Sequence, residues 1–311
     1  MVCGEAVWRA VGCQKSSRRV AHKYGWRGEF KTARPILWEE IRFLVVSVSV
    51  SGRAGRVHLE WWNYLVLFGA ALGAGLVDAI AGGGGLIALP ALLMTGFPVP
   101  LALGTNKLQS LFGSGMAALH YARHGVIDWR RCRLGVTVTF VGAVAGAGTV
   151  QSIDSSRLAL LIPWLLAAIL IYTVFRPELG REVRAPRMNH VAFWLVAGVG
   201  LGFYDGFFGP GTGAFWTIAL VLLLGQDFLA ATGHTKVMNT ASNLGALILF
   251  VYAGRVHWLA GGVMALGQIA GARAGAGLVV KKGARFVRPV FLTMVTLTIA
   301  RLTYVALTRP H

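Results

Sequence analysis

Charge is scarce in this chain. Only 14% of its 311 residues are charged, where soluble domains average about 25%. Acids are scarcer still, with 12 Asp and Glu against 30 Lys and Arg. An ordinary soluble domain is excluded. Cysteine is also rare: Cys3, Cys13 and Cys132 have no metal-ligand spacing and make no disulfide framework. There is no HExxH zinc pair and no Walker A phosphate loop. Ser114 in FGSGM has neither a nucleophile elbow nor a matched base nearby. No enzyme, no metal site, no cofactor and no ATP-driven pumping by this chain alone are expected.

Apolar residues fill the gap. The chain is 55% hydrophobic with a mean hydropathy of +0.62. Several apolar runs approach the roughly 20 residues that cross a bilayer. The sequence therefore predicts an all-α polytopic membrane protein whose membrane domain covers 59–308, with the lipid bilayer as its main partner. The 41 glycines fit, because small residues let helices approach closely where no hydrophobic drive joins them. The Gly-x3-Gly spacings at 142/146 and 271/275 predict packing faces.

The net charge of +18 does not point to nucleic acid. Beyond residue 58 the basic residues lie mostly in short loops, as membrane orientation requires. No basic patch is interleaved with aromatics, so no nucleic-acid partner is expected. Residues 1–58 carry eleven Lys or Arg and four Glu without a sustained period. Their best apolar run, 41–50, is too short to span and has no small-residue cleavage site after it. They are read as a disordered extension or a mis-assigned start.

The most informative feature is a repeated phrase. GAGLVDAIAGGGG at 73–85 returns as GLGFYDGFFGPGTG at 200–213. Each phrase has an acid, Asp78 or Asp205, ahead of a glycine turn. The offset is 205 − 78 = 127, and it becomes 129 after a two-residue insertion. At 129, Gly104-Thr105-Asn106-Lys107 matches Gly233-His234-Thr235-Lys236, and Trp129 matches Trp258. Gly142, Gly146 and Gly148 likewise match Gly271, Gly275 and Gly277. The period is far too long for a solenoid, so a whole half has been duplicated.

Each half reads as about five apolar segments, 8–10 membrane segments in all. They fall near 62–81, 86–95, 104–122, 134–150 and 157–175, then 190–208, 213–224, 232–253, 259–279 and 286–307. Repeat one is 62–175, the linker 176–189 and repeat two 190–307. The second segment of each half is short and follows a glycine turn. Short, glycine-interrupted segments at matching places point to a transporter site. In half one the basic loop joins segments three and four (Arg123, Arg130, Arg131, Arg133). In half two the stronger one joins segments four and five (Lys281, Lys282, Arg285, Arg288). This swap predicts inverted halves with both termini outside.

The turns supply the first candidate ligands. Helices starting inside the membrane present unpaired N–H groups to an anion. The residues are Gly82, Gly83, Gly84 and Gly85, and Gly209, Gly211 and Gly213. Tight helix crossing is the alternative use. Lys107 and Lys236 could neutralise an anion or snorkel to the interface. Lys236, Asn239 and Asn243 share a helix face, as do Lys107, Ser110 and Ser114. With Asn106 they could line a hydrophilic path or bond helices together. Asp78 and Asp205 could pair with the lysines, bind the turn amides or exchange protons, which leaves proton coupling open. Arg273 and Gln268 have Val144 and Thr139 as counterparts, and the asymmetry predicts a partner for Arg273 inside the bundle.

VDAIAGGGGLIALPAL, ALGTNKLQS, GFYDGFFGPGTGAF, HTKVMNTASNLGAL and VRPV resemble the TauE/SafE family, also called toluene-sulfonate uptake permeases. The resemblance covers about 60–308 and both copies of the phrase. It implies a multi-pass protein of the bacterial plasma (inner) membrane. It also implies a permease or exporter of small anions such as sulfite, organosulfonates or related sulfur oxyanions. An anion channel and a non-transporting membrane interaction protein are the other classes the residues allow. Oligomeric state is not legible.

Overall fold

A computed structural model describes residues 59–154 and 186–282. The expectations for 1–58, for segments 157–175 and 286–307, and for most of the linker lie outside the described residues. Eight helices and no strand occur among the described residues. They are α1 Trp61–Ala81, α2 Gly85–Met94, α3 Val99–Arg123, α4 Trp129–Gln151, α5 His190–Phe207, α6 Thr212–Leu224, α7 Phe228–Tyr252 and α8 Trp258–Lys282. The described residues are all-α, and α1, α4, α5 and α8 are each long and apolar enough to cross a membrane.

Local signals set the helix starts. Asp128, Asn189 and Asp227 cap α4, α5 and α7, each accepting from a backbone N–H of the first turn. α3 starts at Val99, directly after Pro98 and with Pro100 in its first turn. Proline is tolerated there because that N–H has no helical acceptor. The apolar count placed this start near 104, and that of α7 near 232 instead of Phe228. Hydropathy marks the apolar stretch, whereas prolines and caps mark the helix. The correction moves Lys107 and Lys236 deeper, so that each is the ninth residue of its helix.

Glycines set how the helices lie together. A Cβ on Gly267, Gly271 or Gly275 of α8 would strike the α1 backbone at Phe68, Leu72 and Leu76 respectively. The numbers rise together, so α1 and α8 run side by side in the same direction. α4 and α5 repeat this: Gly142 and Gly146 meet Val199 and Phe203, and Gly202 and Gly206 meet Thr139 and Ala143. The spacings read as packing faces are thus backbone-contact faces. α3 also runs with α8, through Leu108 against Gly261 and His120 near Gly277. α7 runs with α4, through Gly245 against Phe140 and Leu249 near Gly148.

Between these two sets, α3 and α7 run antiparallel. Gly104 meets Arg255, Gly115 lies near Thr240, and Gly233 meets Val126. The ends are tied alike. The His257 N–H donates to Thr105 Oγ1 at 3.0 Å, and the Asp128 N–H donates to His234 Nε2 at 3.1 Å. α1, α3 and α8 therefore point one way, and α4, α5 and α7 the other. Arg123, Arg130, Arg131, Arg133, Arg187, Lys281 and Lys282 consequently gather at one end of the bundle. Arg255 stands at the opposite end.

Candidate functional site

α1 and α5 each end in a glycine turn that leads into a short helix. Gly82, Gly83, Gly209 and Gly211 have positive φ, from 71° to 141°. A residue with a Cβ is strained there. The two turns meet. A Cβ on Gly82 would fall 2.7 Å from the Ala214 nitrogen, and one on Gly85 3.1 Å from the Pro210 Cα. Tight crossing and proximity to a ligand, set out as alternatives, coexist here: Gly82 packs, whereas Gly83, Gly84, Gly85, Gly209, Gly211 and Gly213 border a cavity.

Lys107, Lys236, Asp78 and Asp205 pair across the halves. Lys107 Nζ lies 2.7 Å from Asp205 Oδ1, and Lys236 Nζ lies 2.9 Å from Asp78 Oδ2. Lys107 and Lys236 are 1% and 0% exposed. Neither snorkels, because each sits more than two turns into its helix, beneath side chains of the opposite half. Asp78 also accepts from the Gly83 and Gly84 N–H groups through Oδ1, at 3.1 and 3.3 Å. Ser242 donates its hydroxyl to Asp205 Oδ2. A buried pair of this kind contributes little net stability, yet losing one partner costs about 3–5 kcal/mol. The arrangement thus fixes where both charges lie.

The cavity sits between the turns. Asp78, Asn106, Lys107, Ser110, Asp205, Thr212, Asn239, Asn243 and Gln268 line it with the glycines. Its open space is about 30 Å³, where about 10–15 Å³ holds one water. Asn239 Oδ1 is buried there without a hydrogen-bond partner. Such a group is costly unless a water or ligand meets it. Lys236 does not border the space and lies behind Asp78. Ser114 returns its hydroxyl to the Ser110 carbonyl at 2.7 Å and does not line the cavity. Arg273 is exposed on the outside of α8, away from the cavity.

Ser242 and Thr212 were not singled out in the sequence. Ser242 had one signal: it follows Met238 by one turn on the helix that carries Lys236, and its half-one counterpart is Gly113. In the sequence Gln268 stands out only by having Thr139 as its counterpart. It lies between Gly75 and Gly113, where a Cβ on either glycine would strike its amide.

Comparison with known proteins places this geometry. The family described as Sulfite exporter TauE/SafE matches residues 67–302. The chain is 43% identical over 239 residues to the Probable membrane transporter protein YfcA of Escherichia coli K12, covering 77% of this chain and 89% of that protein. A Probable membrane transporter protein of Haemophilus influenzae is also 43% identical over 239 residues, covering 77% and 94%. YdhB of Bacillus subtilis, another Probable membrane transporter protein, is 25% identical over 234 residues, covering 72% and 95%. No solved structure matches the chain. The matched region contains both glycine turns and both lysine–aspartate pairs, and the chain belongs to the TauE/SafE family of bacterial membrane transporters, as a multi-pass protein of the inner membrane.

Proposed function

We propose that the chain is a secondary transporter of small anions, with sulfite, organosulfonates or related sulfur oxyanions as cargo. One observation carries the reading: two lysines and two aspartates, paired across the halves, flank a small polar cavity between two broken helices. The site is neutral as paired, so an anion can enter only by drawing a lysine from its carboxylate. Asn106, Asn239, Asn243 and the glycine-turn amides then serve the remaining oxygens. The amides of Gly85 and Gly213 have no carbonyl partner among the described residues, which favours this role.

The halves are read as inverted repeats. Support comes from α3 and α7, equivalent helices that run antiparallel, and from the exchange by which α8 joins α1 while α4 joins α5. An axis relating the halves then lies in the membrane plane, as alternating-access carriers use it. The basic end of the bundle is cytoplasmic by the positive-inside rule. Uptake into liposomes of sulfite, methanesulfonate, thiosulfate, sulfate and a simple carboxylate, with and without a proton gradient, tests the reading. Saturable flux of at least one sulfur oxyanion is expected. Ohmic current, or no flux of any of them, overturns it.

A further inference from the structure

The two ion pairs are built differently, and the difference traces to two sequence positions. Asp205 is enclosed. Lys107 donates to its Oδ1 at 2.7 Å and also to its backbone carbonyl, and Ser242 donates to Oδ2. Asp78 receives Lys236 on Oδ2 at 2.9 Å and two turn amides on Oδ1. The side chain of Asp78 keeps 19% exposure, against 4% for Asp205. The counterpart of Gly83 is Pro210 (83 + 127), which has no N–H to offer Asp205. The counterpart of Ser242 is Gly113 (242 − 129), which has no hydroxyl to offer Asp78. Each carboxylate is completed by a donor that the other half lacks.

The lysines differ too. Lys107 donates twice to one residue, whereas among the described residues Lys236 has Asp78 alone as acceptor. Asp78 borders the cavity and Lys236 lies behind it, so this carboxylate separates the cavity from that cation. We propose that Asp78 is the proton-carrying residue and Lys236 the cation that receives the transported anion, with Asp205 and Lys107 as a fixed pair. The assignment rests on the carrier reading above.

The balance is simple. A proton from aqueous hydronium bonds to Asp78 Oδ2, leaving water behind, and the ion pair with Lys236 breaks. The Lys236 ammonium turns to the anion, and the Asp78 Oδ1 stays on the two turn amides. One proton and one negative charge enter together, so the site stays neutral only for a monoanion. A dianion leaves one uncompensated charge in a buried place, which is costly. The ligand class is therefore the monoanionic oxyanions, sulfonates and hydrogen sulfite, in preference to sulfate.

The groups facing Asp78 leave it alone in this role. α7 presents Lys236. α3 presents Lys107, across the cavity, and Tyr121, whose hydroxyl is engaged by the Ala79 carbonyl at 2.7 Å. α5 presents Asp205, already held twice. α8 presents the neutral amide of Gln268, and α2 and α6 carry no titratable side chain.

Infrared difference spectroscopy on the purified full chain in lipid nanodiscs, recorded as methanesulfonate is added, tests this without any measurement of flux. Methanesulfonate added at about pH 5 draws Lys236 off Asp78 and should raise a buried-carboxylic-acid C=O band. Asp78→Asn should abolish the band, Asp78→Glu should shift it, and Asp205→Asn should leave it. Methanesulfonate, whose charge does not change between about pH 8 and about pH 5, should bind up to about tenfold tighter per pH unit lost by linkage. That dependence should vanish in Asp78→Asn, and sulfate should bind more weakly than methanesulfonate. A band that survives Asp78→Asn, or none in the wild type, overturns the assignment. So does methanesulfonate binding whose pH dependence survives Asp78→Asn. The band as expected with no anion flux counts against the carrier reading and upholds the proton site, so the two failures are distinguishable.

Discussion

Gly82 and Gly213 lie backbone to backbone where the two turns cross: a Cβ on Gly213 would fall 2.8 Å from the Gly82 Cα. Their contact sets the separation of the two short helices and hence the width of the cavity.

Alanine at either position should therefore act through shape. Overpacking a close contact costs about 1–3 kcal/mol, and Gly82 adds strain from its φ of 71°. Thermal unfolding in detergent should fall for Gly82→Ala and Gly213→Ala, and more for the former. Saturable uptake should fall further than the folded fraction does. Gly69→Ala, with nothing within 4 Å of the added methyl, should leave both unchanged. Equal behaviour of all three variants would show that the crossing is not a constraint.

The two lysines should differ in what they hold together. Lys107→Met strands a fully enclosed carboxylate and should cost about 3–5 kcal/mol. Lys236→Met strands Asp78, which keeps two amide donors and some exposure, and should cost about 1–3 kcal/mol. Pairing Lys107→Met with Asp205→Asn should recover part of the first loss. Denaturant unfolding of the three variants reads this, and equal losses for the two lysines would contradict it. Lys236→Met should still lose anion binding by about tenfold or more, at 1.4 kcal/mol per tenfold.

Ser242→Ala isolates one hydrogen bond. It leaves Asp205 Oδ2 buried and short of a donor, which costs about 1–3 kcal/mol. The expected result is a lower unfolding midpoint with anion affinity changed less than in Lys236→Met. Loss of affinity without loss of stability would place Ser242 on the ligand instead.

Orientation is checked by single cysteines. Arg130→Cys and Lys281→Cys should react with an impermeant thiol reagent from the same side, and Arg255→Cys from the other. Both cytoplasmic positions should be shielded in intact cells. Arg130→Cys and Lys281→Cys labelling from opposite sides would refute the inverted arrangement.

Much of this site can be read from residues alone, because intramembrane charges and glycine turns are rare and each occurs twice at one offset. Asp78, Asp205, Lys107 and Lys236 stand out for that reason. Their partners do not. Lys236 and Asp78 are 158 positions apart, and Lys107 and Asp205 are 98 apart, so nothing local says that each lysine crosses to the other half. Helix starts were missed where Pro98 and Asp227 begin a helix ahead of its apolar stretch. Arg273 stands out in the sequence as a charge within an apolar segment with no counterpart in half one. Its outward position follows from α8 spending its other faces on α1 and α3. The pattern of exposure on that helix is set by glycine contacts, not by hydropathy.

The exchange of partners between the halves bears on how the chain is made. α1 finds its close-packed neighbour in α8, which begins 258 − 61 = 197 residues after α1 begins. During synthesis the first half enters the bilayer with the Phe68–Leu76 face of α1 uncovered. That face must wait for nearly the whole membrane domain to be inserted. The first half therefore has no finished structure of its own to settle into. Two halves made as separate polypeptides should conversely seek each other, since each holds the missing helix of the other.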